Sequence, residues 1–338
     1  MAADSAAPER ELTTPVALTR PDGRLNDAAV GWARRPLVDT SGIGRRGWGR
    51  NKRWEYWNVA TSSHILAVTV SSLDYAAVHE VWVFDRATEQ TWARSVTVPF
   101  ARRTLLPGSL GDGPAQARAR DLRVDIEEVE DGTRLRASIP GASFDVIAEM
   151  PEGHEQLAVV VPWGDTRFQY TVKDVARPAR GTVTLDGIVH DLPAGESWAV
   201  LDHGRGRWPY DISWNWGAGS GRSYGRTVGV QVGGRWTLGT GATENAVMVD
   251  GRIHKIHDEL AWIYDLDDWR TPWVVAGGGL DARFQPFYDK VTRTNLGIVA
   301  SATDQCFGHW SGSFRTAQGE TIPFDGLIGW TEEVHNRW

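Results

Sequence analysis

Residues 122–139 read LRVDIEEVEDGTRLRASI. Over Leu122–Val129, apolar and polar side chains largely alternate, which is typical of a strand with one buried face. The Glu-Asp-Gly at 130–132 supplies a turn, and the chain returns through a second strand-like segment, Arg134–Ile139. The stretch therefore predicts a β-hairpin, and short segments of the same kind fill the chain from Trp54 onward.

These strand-like segments occur in both halves of the chain and are separated by Gly, Asp and Pro. In the first half they are His64–Ser71, Val78–Asp85, Ser143–Glu149, Leu157–Trp163 and Gly181–Leu185; in the second they are Gly225–Val232, Arg235–Gly239, Ala246–Val249, Arg252–Ile256, Leu260–Asp265, Leu296–Ala302 and Gly308–Arg315. Hardly any segment has helical periodicity. We therefore predict an all-β protein of sandwich or barrel type with few short helices.

Composition narrows the class further. The 338 residues include 18 Trp and 37 Gly, with 41% hydrophobic residues and a formal net charge of −7. Many aromatic residues argue against disorder, and the negative charge argues against non-specific nucleic-acid binding. No apolar run approaches the ~18–20 residues of a membrane helix, although transient membrane contact stays open. The single cysteine, Cys306, and the lack of a secretory signal favour a cytoplasmic protein.

A faint internal repeat suggests two units. Trp54-Glu55-Tyr56-Trp57 and Trp214-Asn215-Trp216 each precede a pair of strands that ends in an apolar residue followed by Asp. We predict an N-terminal arm at 1–30 and two β-units, at 31–195 and 196–338.

Four separated motifs, in order, resemble a bacterial and fungal family that is catalogued as a domain of unknown function (number 2804). They are GWARRP at 31–36, KRWEYW at 52–57, DISWNWG at 211–217, and TEN at 243–245 followed by DGR at 250–252. The resemblance runs from about Gly31 to Trp338. It implies a distant relation to the AttH and carotenoid 1,2-hydratase group, and therefore two tandem lipocalin-like β-units.

One element of the chain is similar to the Trp-x-Asp-His element of that group. It is Leu201-Asp202-His203-Gly204, with its Trp further upstream at Trp198. A carboxyl group beside an aromatic wall can act as a general acid, and a histidine can activate water. Adjacent residues on a strand point to opposite faces, so the two side chains share a face only if a turn intervenes. Gly204-Arg205-Gly206 predicts such a turn. The alternative is structural: His203 caps a turn, and Asp202 pairs with Arg205 or Arg207.

The paired tryptophans favour a ligand cavity. In a strand, Trp214 and Trp216 point to one face and Asn215 to the other. The small residues at 217–221 leave that face uncovered, so we expect an indole-lined wall for a lipid, a sugar ring or a carbocation. The alternative is that most of the tryptophans pack the two units together.

The candidate site combines these residues with polar neighbours that could hold water, a polar head group or a structural ion pair. The catalytic candidates are Asp202, His203 and Glu244, and the substrate-binding candidates are Trp54, Glu55, Trp57, Trp214, Asn215, Trp216, Tyr224, Arg226 and Asn245. We expect no metal, because His254 and His257 would face opposite ways on a strand, and no nucleotide or other cofactor.

Three functions are compatible with this pattern. The leading hypothesis is an enzyme that protonates an alkene of an apolar isoprenoid or lipid substrate, as a hydratase, isomerase or cyclase does. The second is a non-catalytic carrier of lipids or other hydrophobic metabolites. The third is a carbohydrate-active or carbohydrate-binding protein, with two carboxylates across a cleft. The sequence leaves catalysis, substrate and oligomeric state open.

Overall fold

The computed structural model describes residues 8–295, 297 and 299–338. This part of the chain is almost entirely β-structure, arranged as two curled half-barrel sheets, and the all-β prediction is confirmed. The only helical elements in these ranges are two short 3-10 turns, Asp27–Ala29 and Ser41–Ile43. None of the described helices has the length and apolar character needed to cross a membrane.

The first half of the chain forms three short N-terminal strands and the first sheet. The strands are β1 (Val16–Ala17), β2 (Gly31–Ala33), β3 (Val38–Asp39), β4 (Asn51–Thr61), β5 (His64–Ser72), β6 (Ala76–Asp85), β7 (Thr91–Pro99), β8 (Thr104–Leu105), β9 (Ala115–Ala119), β10 (Leu122–Val129), β11 (Gly132–Ile139), β12 (Ala142–Glu149), β13 (Leu157–Gly164), β14 (Arg167–Leu185), β15 (Ile188–Asp191) and β16 (Ser197–Arg207). The main path of the sheet is β7-β6-β5-β4-β16-β14-β12-β11-β10-β9-β8. Strand β13 joins β14 to β2, and β15 pairs with β14.

The second half forms the second sheet. Its strands are β17 (Asp211–Ser223), β18 (Arg226–Gly234), β19 (Asn245–Val249), β20 (Arg252–Ile256), β21 (Ala261–Ile263), β22 (Trp273–Gly277), β23 (Leu280–Asn295), β24 (Ala300–Arg315) and β25 (Thr321–Arg337). Their order is β20-β19-β18-β17-β25-β24-β23-β22-β21. The chain passes from one sheet to the other after Arg207. Strand β16, which opens the second predicted unit, is hydrogen-bonded in the first sheet.

The hairpin at 122–139 forms as its sequence predicts, with β10 and β11 antiparallel and Val129 opposite Gly132. Its apolar side chains, such as Val124 and Leu135, lie in a core inside the first half. A separate core fills the second half, and a third, rich in tryptophan, lies between the two sheets. The third core is the one that positions the candidate site.

A β-bulge in β14 helps to dock the two sheets. The register of β14 against β16 shifts between Asp174 and Arg177, and Ala176 has a φ of 59°, which non-glycine residues seldom adopt. The Ala176 amide donates a hydrogen bond of 2.9 Å to Ser220 Oγ on β17. The irregular backbone of one sheet is therefore anchored directly to a strand of the other.

Candidate functional site

Two rows of side chains face each other where the sheets pack, and we call them the facing rows. Each row consists of residues opposite one another on neighbouring strands, so their side chains share one face of the sheet. On the first sheet the row is Tyr56, Asp202 and Lys173; on the second it is Trp216, Glu332 and Gln305. The two rows bring acidic, basic and aromatic groups together in the space between the sheets.

Lys173 is the cation at the centre. Its Nζ lies 3.0 Å from Asp202 Oδ1, 3.2 Å from Glu244 Oε2 and 3.9 Å from the ring centroid of Trp216. Burial opposes protonation of this amine, but the two carboxylates outweigh burial and raise the pKa of Lys173. A charged lysine therefore links a carboxylate of the first sheet to one of the second.

Asp202 is surrounded by donors. Besides Lys173, the Trp54 Nε1–H donates to Oδ2 at 3.0 Å, and the Thr171 hydroxyl donates to Oδ1 at 3.2 Å. Gly204 makes the approach of Trp54 possible, because a Cβ at that position would lie 2.2 Å from the indole ring. Both oxygens of Asp202 therefore accept hydrogen bonds, and Oδ1 also pairs with the Lys173 ammonium, which is not the arrangement expected of the proton donor in the site.

Glu244 enters the site from the end of the loop that precedes β19. Its carboxylate crosses β18 above Gly233, where a Cβ would lie 2.1 Å from Oε1, so the glycine provides the room. The Trp236 indole N–H donates to the same oxygen. Burial raises the pKa of Glu244, while the charge of Lys173 opposes that rise.

Of the three carboxyl groups in the site, Asp202 and Glu244 each form an ion pair with Lys173, whereas Glu332 has no ion-pair partner among the described residues. Trp214 Nε1 donates to Oε1 at 3.1 Å, and Gln305 Nε2 donates to Oε2 at 3.0 Å. Burial raises the pKa of Glu332 to about 7, and the negative charge of Asp202 acts in the same direction. A substantial fraction of Glu332 is therefore protonated near neutral pH. It lies directly opposite Trp216.

Indole rings cover one side of the facing rows. Trp208, which follows β16, stacks on Trp236 at 5.6 Å between ring centroids and meets several other rings edge-on. This tryptophan cluster consists of Trp54, Trp163, Trp208, Trp214, Trp236 and Trp338. Since its members come from both sheets, the cluster and the carboxyl groups beneath it form one site at the junction of the halves.

Several residues proposed from the sequence meet here. Trp54, Trp214 and Trp216 lie around the carboxyl groups, and Asp202 and Glu244 share Lys173. The structure therefore brings these five residues together near the junction of the two halves, and their role in a ligand site stays a prediction.

Other candidates lie inside the first half. Strand β16 runs unbroken through residues 204–206, so the turn expected there is wrong and His203 faces away from Asp202. His203 Nδ1 lies 3.6 Å from Glu55 Oε1, and burial lowers the pKa of this histidine. Trp57 belongs to the same interior, where the Arg177 guanidinium lies over its ring. The structure thus separates His203, Glu55 and Trp57 from the facing rows.

Two asparagines brace the site rather than line it. Asn215, on the opposite face of β17 from Trp216, donates to the Tyr264 hydroxyl at 3.0 Å. Asn245 accepts a hydrogen bond of 2.7 Å from the amide of Gly233, the same glycine over which Glu244 passes. Both side chains are buried and hold backbone or loop positions.

Tyr224 and Arg226 lie at the surface. Tyr224 is 72% exposed and sits in the turn between β17 and β18, so it does not share a strand face with Arg226. Arg226 pairs with Asp250 and Glu320 on the exterior. Their proposed role in orienting a ligand head group in this site does not fit these positions.

The glycine-rich segment after Trp216 also differs from the prediction that it leaves a face of the strand uncovered. Gly217 and Gly219 face the interior of the second half, where the Trp310 ring lies against them. The glycine backbone therefore accommodates Trp310 and does not form bare surface beside the Trp214 and Trp216 pair.

Sequence reasoning missed half of the charged groups in the site. Lys173 and Glu332 are charged residues in the interior of long, largely buried strands, β14 and β25. A charge inside such a strand is the signal that could have found them, because buried charges occur mainly with partners. Their partners come from distant parts of the chain, which the sequence does not show.

The family of the chain follows from its sequence. The sequence model of the family described as "Domain of unknown function (DUF2804)" matches residues 9–338. The chain belongs to this family. No curated protein matches the sequence of this DUF2804 chain.

Two solved structures have a similar fold. Kievitone hydratase from Nectria haematococca is 10% identical, with a TM-score of 0.50 over 99% of the DUF2804 chain and 98% of its own. A putative AttH from Nitrosomonas europaea is 11% identical, with a TM-score of 0.51 over 84% and 92% of the two chains. At these identities the similarity concerns the fold, which is lipocalin-like as predicted.

Proposed function

We propose that the protein is an enzyme that protonates an alkene of an apolar isoprenoid or lipid substrate, as a hydratase, isomerase or cyclase does. The observation that carries the proposal is Glu332. It is a buried carboxyl group with its pKa raised to about 7, held among indole rings in the same site as Asp202. Such a group can donate a proton at neutral pH to a weakly basic, apolar partner.

Aromatic rings beside Glu332 can stabilise the cation that this reaction forms. Protonation of an alkene leaves a carbocation, and the faces of indole and phenol rings attract cations. Trp216, Trp330 and Tyr56 lie in contact beside Glu332, with ring centroids 5.0 to 6.0 Å apart. The same site already holds a cation on an indole face, since Lys173 lies over Trp216.

Asp202 is the group that completes the reaction. The proton of Glu332 adds to one alkene carbon, and the neighbouring carbon becomes the cation. In a hydratase, water attacks this carbon and Asp202 accepts the proton that the water loses. In an isomerase, Asp202 removes a proton from the carbon next to the cation. In a cyclase, a second double bond attacks the cation, and Asp202 then removes a proton next to the new cation that this attack leaves. Each path moves one proton from Glu332 to the substrate and one from substrate or water to a carboxylate.

The similarity to kievitone hydratase supports this class of reaction, because the name of that protein denotes addition of water. The site itself favours an apolar ligand over a carbohydrate polymer. Trp208, Trp216 and Trp236 are buried, so they do not offer an open face on which a sugar chain could stack.

Solvent isotope incorporation tests the proposal. We would incubate the protein in D2O with geraniol, farnesol and oleic acid as probes, and analyse the products by mass spectrometry. The wild type should form a product that carries deuterium on carbon. Glu332→Gln, which keeps the shape of the side chain, should lower the rate at least about a hundredfold, while its near-ultraviolet circular dichroism stays that of the wild type.

Arg226→Gln is the matched control, because it removes a charge at the surface and should leave the rate unchanged. Unchanged turnover in Glu332→Gln would refute the acid role. Quenching of tryptophan fluorescence by the probes without any product would instead favour a carrier.

A further inference from the structure

The chain contains only four lysines, and all are largely buried: Lys52, Lys173, Lys255 and Lys290. Three of them have a carboxylate partner. Lys173 pairs with Asp202 and Glu244, Lys255 with Glu9, and Lys290 with Glu80. Pairing of this kind is what a buried charge requires. Lys52 is the exception among the described residues.

Lys52 is only 1% exposed, and its Nζ donates a single long hydrogen bond, 3.4 Å, to the Gly49 carbonyl. Aromatic rings flank the amine: the ring of Tyr75 is 4.7 Å away and that of Trp338 is 5.4 Å away. An ammonium group offers three donors, so most of its hydrogen-bonding capacity is unused.

The amine also lies at the edge of the candidate site. Lys52, Trp54 and Tyr56 project from one face of β4, because they are two residues apart on a strand. The Trp338 ring beside Lys52 contacts Trp208 and Trp214 of the tryptophan cluster. Lys52 and Tyr56 are four positions apart on the strand, which is a distance of roughly 13 Å, and Tyr56 is opposite Asp202.

We propose that Lys52 binds the carboxylate of an apolar carboxylic acid whose hydrocarbon body lies along the tryptophan cluster toward Asp202 and Glu332. This inference rests on the proposed function and names the substrate class of the same site. The ligand would supply the carboxylate that the other three lysines find within the protein. A monoanion matches one ammonium group, whereas a dianionic phosphate would leave a buried charge uncompensated.

Paired ligands of one chain length test this. Decanoic acid and decanamide differ in charge but hardly in shape, and isothermal titration calorimetry measures their affinities for the full-length protein. The wild type should bind the acid at least about tenfold more tightly than the amide, since charge-assisted hydrogen bonds are the stronger ones. Lys52→Met should bind both at the affinity of the amide, and Lys52→Arg should keep the preference.

Lys290→Met is the matched control. It also removes a buried amine over an indole ring, Trp82, but one that already has a carboxylate partner. Its preference for the acid should equal that of the wild type. Loss of the preference in both methionine variants would overturn the assignment to Lys52.

A second measurement uses the wild type alone. Burial lowers the pKa of Lys52 to about 8, with Asp74 opposing this shift and Arg50 adding to it. The preference for the acid should therefore decline as the pH rises above the pKa of the Lys52 amine in the unliganded protein. A preference that stays constant to pH 10.5, the ordinary pKa of lysine, would contradict the inference.

The outcomes separate this inference from the proposed function. Equal binding of acid and amide by the wild type would overturn the role of Lys52 and leave the acid chemistry of Glu332 standing. Binding of neither ligand would overturn the inference, because the tryptophan cluster would then not accept this apolar chain, while the acid chemistry of Glu332 is tested separately by deuterium incorporation. Tighter binding of decyl phosphate than of decanoic acid would overturn the choice of a carboxylate.

Discussion

Replacement of Lys173 by Met should destabilise the protein strongly. The substitution keeps most of the side-chain stem and removes the charge that lies 3.0 Å from Asp202 and 3.2 Å from Glu244. Breaking a buried ion pair by removing one partner costs about 3–5 kcal/mol, because the other charge stays buried. Here two carboxylates lose their cation, although Trp54, Thr171 and Trp236 still donate to them. We therefore expect a loss near 4 kcal/mol at pH 8.

The cost should depend on pH. Without Lys173, the folded-state pKa of Glu244 rises further above its ordinary value, so the folded state binds a proton that the unfolded state releases. Stability then falls as the pH rises through this window, and the penalty is larger at pH 8 than at pH 5.

Urea unfolding followed by tryptophan fluorescence measures the free energy at both pH values. Lys290→Met is the comparison, because its amine has one carboxylate partner, Glu80, which is itself partly exposed. A Lys173→Met penalty no larger than that of Lys290→Met, or one that does not change with pH, would refute the assigned role of Lys173.

Three further predictions follow from the same geometry. The pKa of Glu332 is raised from 4.5 to about 7, so the wild type should lose roughly 3 kcal/mol of stability as the pH rises across that interval, and Glu332→Gln should abolish this part of the slope in urea titrations at pH 4.5 and pH 7. Gly233→Ala should destabilise by about 1–3 kcal/mol, because its Cβ would meet Glu244, whereas Gly108→Ala, with no atom closer than 3.4 Å, should cost less than 1 kcal/mol; equal costs would contradict the role of Gly233. Trp236→Phe removes the donor to Glu244 and should cost about 1–3 kcal/mol in the same assay, a result that an unchanged midpoint would overturn.

The general fold could be predicted from local pattern. Alternation over 122–139 and the turn at 130–132 give the hairpin β10–β11 directly, because a strand with one buried face must alternate. The assignment of each strand to the first or the second sheet could not be predicted from local pattern. Strand β16 has a sequence compatible with either half, and its place in the first sheet is fixed by pairing with β4 and β14.

The candidate site was predictable only in part. Asp202 and Trp216 stand out because a carboxylate or an indole pair has a chemical use that can be recognised locally. Lys173 and Glu332 have meaning only through partners that lie far away in the sequence and come together when the sheets pack. The error over residues 204–206 has a similar cause. Glycine there suggests a turn, but Gly204 is instead needed beneath the Trp54 ring, a contact between different strands.

The distribution of charge across the junction has a consequence for how this protein can change over generations. The first sheet contributes Lys173 and Asp202, and the second contributes Glu244 and Glu332. A substitution of one charged residue alters the protonation of groups in the other half. Few single substitutions at these positions should therefore leave the protein unaffected. We expect Lys173 and Glu244 to vary together or not at all among relatives, and exchange of one half between distant relatives to fail unless both residues are carried across.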